Sequence, residues 1–316
     1  MNNKYYFDFE NQFRGERYKI ITKLSIYDRL VKKVITSNHL NKFIDIGCGR
    51  GEWIEKWNTE GFECLGIEKN PGMVEFCTDL GLDVLSFNAI DILRELPDKS
   101  VSLITMFHVI EHVKSDELFI LINEIYRVLA VNGVLIMETP SIDNLCVSTK
   151  LFYLDPTHIN HINPDGLSFA LKKSNFDQVK YFYINGGPLQ NADSFKLTRV
   201  LNGVAQDVVF IVTKSEKMSS ELFINDPDWS FCLPTAPTTL DAAVAFDLRY
   251  RQVESQKLEK FNNEITFLND EILSLKNEKN LFKQEVALLK AELKYIIIVL
   301  KIFRRLLYSP IIYLYR

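Results

Sequence analysis

The chain lacks the marks of several protein classes. Its five cysteines, Cys48, Cys64, Cys77, Cys146 and Cys232, are odd in number and form no C-x-x-C pair. That argues against a disulfide framework and for reduced thiols in a cytoplasmic protein. Positive charge is not in excess: 37 Lys and Arg against 41 Asp and Glu leave a formal net charge of −4. A general nucleic-acid binder is therefore not expected. The opening MNNKYYFDFENQFRGERYKI has no basic segment followed by an apolar core, so no signal peptide is expected there. No apolar run reaches the roughly 18–20 residues that span a bilayer. Near the C-terminus, the run from Tyr295 to Leu300 is stopped by Lys301.

What is present falls into two regimes. Up to about residue 214, short apolar runs alternate with helical patterns, the signature of a βαβ domain. Strands are expected at 43–46, 63–68, 82–87, 101–107, 134–139, 178–184 and 207–213, with helices at 52–60, 72–80, 90–96, 115–130 and 164–174. A leading helix over 16–36 carries Ile20, Leu24, Tyr27, Val31 and Val34 on one face. The last two strands follow each other without an obvious helix, which predicts a parallel sheet ending in an antiparallel hairpin.

A proline-bearing stretch, 215–240, then reads as a linker. Beyond it glycine disappears and heptads begin over 241–303. With Leu258 at position a, the a sites are Leu258, Ile265, Ile272, Lys279, Val286, Leu293 and Leu300. The d sites are Phe261, Leu268, Leu275, Phe282, Leu289, Ile296 and Phe303. This predicts a coiled coil, hence a homo-oligomer, on the order of 70 Å long at about 1.5 Å per residue. Lys279 would weaken it locally and help set its register. The tail, 304–316, is basic and apolar with no acidic residue, a composition suited to an anionic membrane surface. The alternative is a hydrophobic end packed on its coil partner.

The motif that carries chemistry is FIDIGCGRGEW, residues 43–53. A dinucleotide fingerprint wants G-x-G-x-x-G; here the third glycine comes one residue early and Glu52 takes its place, unwelcome beside a pyrophosphate. Asp45, Gly47, Gly49 and Gly51 instead spell Asp-x-Gly-x-Gly-x-Gly, which resembles the class I S-adenosylmethionine-dependent methyltransferases. The resemblance implies a Rossmann-like, seven-stranded α/β domain followed by the long coiled-coil helix, with S-adenosylmethionine as cofactor. Asp45, Gly47, Cys48 and Gly49 would form its loop. Glu68 would accept the ribose hydroxyls, and Asn88 and Ala89 would meet the adenine. Met106, Phe107 and His108 would close the fourth strand against the adenine or the sulfonium.

FHVIEHV, residues 107–113, follows at the carboxyl edge of the sheet, where doubly wound folds place their sites. The Asn/Asp-Pro-Pro-aromatic signature of nucleic-acid amino-methyltransferases is missing, so base methylation is not expected. His108, Glu111 and His112 also spell the H-x-x-E-H of a zinc peptidase, but the motif follows a buried strand in a cofactor-binding sheet, which speaks against proteolysis. The Glu111–His112 step resembles ubiquinone-type O-methyltransferases, where it can hold a divalent ion; His108 stands where a carboxylate is expected, and no metal is assigned. A second polar group, Tyr153, Asp155, His158 and His161, lies in LFYLDPTHINHINPDGL, residues 151–167. Histidine titrates near pH ~6.5 and can take a proton from an attacking hydroxyl. His158 or His112 is the candidate base, with Asp155 and Glu111 beside them.

Together with FRGERYKIITKLSIYDRL, METPSIDN and YLDPTH, these segments resemble a bacterial methyltransferase family of O-antigen and capsule biosynthesis over about residues 13–190. The resemblance implies that Arg14, His112, Asp155 and His158 lie near the methyl acceptor, with Tyr153 and His161 as further contacts. Some chain-terminating members join such a domain to a coiled coil and a basic end at the inner membrane. The expectation is an O-methyltransferase capping the non-reducing end of a lipid-linked polysaccharide, peripheral on the inner membrane, with a polysaccharide glycosyltransferase complex as a candidate partner. The rivals are a quinone-type small-molecule O-methyltransferase and a scaffold with a degenerate methyltransferase domain.

Overall fold

The computed structural model describes residues 3–307. Seven strands form one sheet in the order β3-β2-β1-β4-β5-β7-β6. They are β1 (Lys42–Ile46), β2 (Glu63–Ile67), β3 (Val84–Leu85), β4 (Val101–Phe107), β5 (Leu129–Pro140), β6 (Gln178–Gly186) and β7 (Ala205–Thr213). The first five run parallel, while β7 is antiparallel to both β5 and β6. This is the expected Rossmann-like arrangement, with the expected antiparallel hairpin at its edge.

Alternation along the central strands sends side chains to opposite faces. Phe43 and Leu103 join one cluster with α3 (Asp28–Asn38), α4 (Glu52–Thr59) and α10 (Glu216–Phe223). Ile44, Ile46 and Ile104 join the other, with α6 (Ala89–Glu95), α7 (Ser115–Val128) and α8 (Pro164–Lys173). Leu30 and Ile54 are fully buried in the first, each contributing about 1.5–3 kcal/mol on burial. Between strands, α5 (Pro71–Asp79) starts where the Asn70 side chain accepts from the Gly72 N–H and proline occupies the first turn; Asn163 and Pro164 start α8 the same way.

Four boundaries differ from the sequence reading. The leading helix is broken into α2 (Arg17–Leu24), a 3-10 turn (Ser25–Tyr27) and α3, with the Ser25 hydroxyl bonded back to the Ile21 carbonyl. An unexpected α1 (Asn3–Phe13) precedes it. A short α9 (Leu197–Asn202) lies between β6 and β7. The expected linker is folded: Met218, Leu222, Trp229 and Leu233 are buried in the core, and Trp229 Nε1 donates to the Leu222 carbonyl at 3.0 Å. Its prolines punctuate a packed segment, because burial of these apolar groups outweighs the turn signal.

The contacts divide the chain after Leu248. The helix α11 (Thr239–Leu307) begins inside the first unit, where Ala242 packs with Val200 and Val204. Residues 249–307 continue that helix with most of their apolar side chains, Leu258 and Leu268 among them, exposed. Of the basic tail expected at 304–316, residues 304–307 are helical and the rest lie outside the described residues. Among the described residues no helix is long and apolar enough to cross a membrane.

Candidate active site

The carboxyl edge of β1, β2, β4 and β5 opens into a cavity of about 730 Å³. Gly47 and Gly49 line it with φ of 70° and 55°, the left-handed region that side chains disfavour. A Cβ at Gly47 would lie 2.3 Å from Val109 Cγ2. Glu68 fixes the turn from the next strand: its carboxylate accepts from the Gly49 N–H at 3.0 Å and from the Asn70 N–H at 2.8 Å. Asn88 and Ala89 line the cavity at the start of α6, where the Asn88 amide oxygen accepts from the Ile90 N–H at 3.0 Å. The oxygen expected to meet adenine thus already caps a helix and keeps one further lone pair.

Other expected cofactor residues support the loop from beneath. Asp45 is buried and accepts from the Thr105 hydroxyl at 2.7 Å. Burial pushes its carboxyl up to about 7, against the Thr105 bond and the Arg14 charge. Cys48 is also buried, its sulfur against Gly66. Neither side chain lines the cavity. Phe107 borders it while stacking on Tyr27 at 5.5 Å, whereas Met106 turns into the core on the opposite face of the sheet.

The two candidate bases meet across the cavity wall, with ring centroids 4.6 Å apart. His158 Nδ1 lies 2.6 Å from the Phe152 carbonyl oxygen, which can only accept, so the proton sits on Nδ1 and Nε2 keeps its lone pair. Burial and the neighbouring His112 hold His158 below the ordinary histidine range. Thr157 donates its single hydroxyl hydrogen to Asp155 at 2.6 Å and therefore accepts from His112 Nδ1 at 2.9 Å. Both imidazoles thus keep Nε2 free. Glu111 lies behind them, fully buried; one oxygen accepts from the Thr139 hydroxyl at 3.0 Å. The other has no hydrogen bond among the described residues and stands 3.8 Å from His158 Nε2.

His108 belongs to a different group. Its φ of 56° turns the chain sharply after β4, and His112 lies in a 3-10 turn (Ile110–His112), so the two histidines share no helix face. His108 Nε2 is 3.4 Å from Glu138, and Nδ1 is 3.5 Å from Glu111. Burial alone would lower it, but Glu111, Glu138 and Asp207 together hold it up to about 10. Glu138 also accepts from the Tyr27 hydroxyl at 2.6 Å and pairs with Lys23 at 3.0 Å; Asp207 accepts from Asn185 at 2.7 Å. Of this network the sequence picked out only His108 and Glu111, because its other members come from five separate elements.

The unforeseen α1 supplies Tyr6, Phe9, Glu10 and Phe13 to the cavity wall, and the Tyr6 hydroxyl donates to Asp155 at 3.2 Å. Arg14, expected beside the acceptor, lies over the glycine turn: a Cβ on Gly49 would fall 2.7 Å from its Nη1. Its cation, paired with Glu10 at 3.0 Å, suits a carboxylate held at that turn. Tyr153 and His161 stand outside the cavity; His161 is exposed and stacked on Phe152 at 3.8 Å.

Among the described residues, two sets of groups converge closely enough to hold a cation: Glu111, His112 and His158, and His108, Glu138 and Asp207, each with donor atoms within 4.8 Å. In the second, Lys23 already supplies the positive charge. The first offers two imidazole nitrogens, a donor set suited to a divalent ion, but its Glu111 oxygen already faces His108 Nδ1 at 3.5 Å.

A family model described as a methyltransferase domain matches residues 14–181. A SAM-dependent methyltransferase structure from Archaeoglobus fulgidus superposes with a TM-score of 0.57 at 29% identity, covering 66% of this chain and 100% of that one. A possible histamine N-methyltransferase from Thermotoga maritima gives a TM-score of 0.46 at 18% identity, over 66% of this chain and 98% of that one. No curated protein matches.

Proposed function

The chain belongs to the methyltransferase-domain family and is an S-adenosylmethionine-dependent methyltransferase, and on that footing we propose that its acceptor atom is a hydroxyl oxygen of a bacterial surface polysaccharide. The observation that carries the choice of a hydroxyl is His158. Its Nδ1 is tied to a backbone carbonyl, its Nε2 is free, and its lowered pKa keeps it unprotonated near neutrality. That is the state a general base needs to take a proton from a hydroxyl.

Gly47 and Gly49 leave room for the cofactor's backbone contacts, Glu68 is poised for its ribose, and Arg14 for its carboxylate. S-adenosylmethionine, when bound, supplies a methyl group already activated on a sulfonium. What remains for the protein is to hold the acceptor in line, keep water out and receive one proton. The aromatic wall of α1 excludes water; His158 receives the proton, and His112, positioned through Thr157 and Asp155, is its neighbour. If a divalent ion occupied Glu111, His112 and His158, the same nitrogens would be spent on it, so base and ligand are exclusive roles.

A methyl on the hydroxyl that accepts the next sugar would stop chain growth by removing the nucleophile. The support for a lipid-linked glycan is the segment resemblance, the exposed heptads, and Lys301, Arg304 and Arg305 beside Ile298 and Ile302 near the end of the described helix. That end would sit on the inner membrane surface or on a glycosyltransferase, and the heptads would gather copies of the chain. A second reading, a lipophilic quinone-type acceptor, is favoured by the apolar part of the wall: Phe9, Phe13, Phe87, Leu151 and Leu154.

Incubation with methyl-labelled cofactor and membranes from a polysaccharide-producing host separates the two. Label in a long lipid-linked glycan, released from its carrier by mild acid, is the expected result. Label in a small organic-soluble product would overturn it in favour of the second reading.

A further inference from the structure

We infer that a second copy of this chain pairs with residues 258–303 in parallel and in register. The inference rests on the self-association reading above and adds its direction. With Leu258 at position a, the g positions of five successive heptads are all acidic: Glu264, Glu271, Glu278, Glu285 and Glu292. The e positions of the three central heptads, Lys276, Lys283 and Lys290, are all basic. All eight side chains are exposed, and among the described residues none has an ion-pair partner in its own helix. The charge is laid down as two rows of opposite sign flanking one apolar seam.

Direction follows from which rows meet. In a parallel pair, g of one helix faces e of the next heptad on its partner, so Glu271 meets Lys276, Glu278 meets Lys283 and Glu285 meets Lys290, each twice by symmetry. In an antiparallel pair, g faces g and e faces e, setting a glutamate row on a glutamate row and a lysine row on a lysine row. Like charges placed so reject that partner. Foreign helices with an unmatched pattern are rejected on the same ground.

Register is fixed by a different residue. A slip of one heptad keeps three charge pairs on each side, so the charges do not forbid it. Lys279 does: in register it faces its own copy and spoils one layer, while a one-heptad slip sets it against Ile272 and Val286 and spoils two. A single polar a site serves this purpose in coiled coils. The arrangement brings Lys301, Arg304 and Arg305 of every copy to the same end of the coil, which concentrates positive charge there.

The test uses the full chain with the two less buried thiols removed (C146S, C232S), carrying in turn L268C, L275C or L289C at d positions. Sedimentation first establishes assembly. In a redox buffer, each variant should form its own disulfide dimer, while mixtures of two variants should show homotypic and no heterotypic links. Assembled protein linking L268C to a further variant, V286C at an a position, or L268C to L275C, in preference to themselves would overturn direction or register and leave self-association standing. Monomers in sedimentation would overturn both. Independently, K276E/K283E/K290E should lose self-association, and mixing it with E271K/E278K/E285K should restore a heteromeric assembly; persistence of K276E/K283E/K290E as a homo-oligomer would overturn the charge argument.

Discussion

His158 Nδ1 lies 2.6 Å from the carbonyl oxygen of Phe152, six residues earlier in the same loop. The contact fixes one tautomer of a half-buried imidazole in the cavity wall and leaves its other nitrogen as an acceptor. The proposed chemistry turns on that tautomer.

Replacing His158 by glutamine should lower kcat by about 10²–10⁴-fold with cofactor affinity unchanged. Because burial lowers its pKa, the wild-type rate should rise with pH through a value below the usual 6.5 and be level by neutrality. A pH–rate profile of wild type and H158Q checks both; a rising limb retained in the variant would assign it to another group.

Gly49→Ala should weaken cofactor binding by about tenfold or more, since a left-handed alanine costs roughly 1–2 kcal/mol. The new methyl would also lie 2.7 Å from Arg14 Nη1. Calorimetric titration of the cofactor reads the change, with thermal melting to show that the variant is folded.

Asp45 sets a pH dependence of stability. Its folded pKa, about 7, stands above the unfolded value near 3.9, so the native state holds a proton that the unfolded state releases. Its contribution is present at acid pH and is lost as pH rises from about 4 through 7. Asp45→Asn, whose amide oxygen still accepts from Thr105, should therefore stabilise the protein more at pH 8 than at pH 5. Urea midpoints at the two pH values decide it.

Methyl transfer should survive exhaustive EDTA dialysis, because His158 as base and His158 as metal ligand are exclusive. Loss of activity, restored by a divalent ion and accompanied by stoichiometric metal in elemental analysis, would move Glu111, His112 and His158 from acid–base work to ligation.

Ending the chain after Leu248 should leave methyl transfer intact in vitro and abolish chain-length control in the host. Cutting earlier, before residue 241, removes Ala242 from its contacts with Val200 and Val204 and should lower the melting temperature as well. Comparing polysaccharide length distributions with melting curves separates the two effects.

Much of this protein is legible as a string. Periodicity two against periodicity near four is local, and so is the demand for glycine in a tight turn; the alternation of strands and helices, the closing antiparallel hairpin, the Gly47–Gly49 loop, Glu68 after β2 and the long helix follow from such local rules. The heptad charges of α11 are likewise a matter of spacing alone. What the tertiary structure decided is whatever depends on residues far apart in the chain. Glu138, Lys23, Tyr27 and Asp207 come from four elements and acquire meaning only when β5 and β7 pair beside α2 and the turn that follows it. That Arg14 lies over the glycine turn is a contact between separate elements, and the 215–240 stretch is core because Trp229 finds Phe182 at 5.9 Å. The tautomer of His158 is set by one carbonyl oxygen and its pKa is lowered by burial, neither of which a sequence displays.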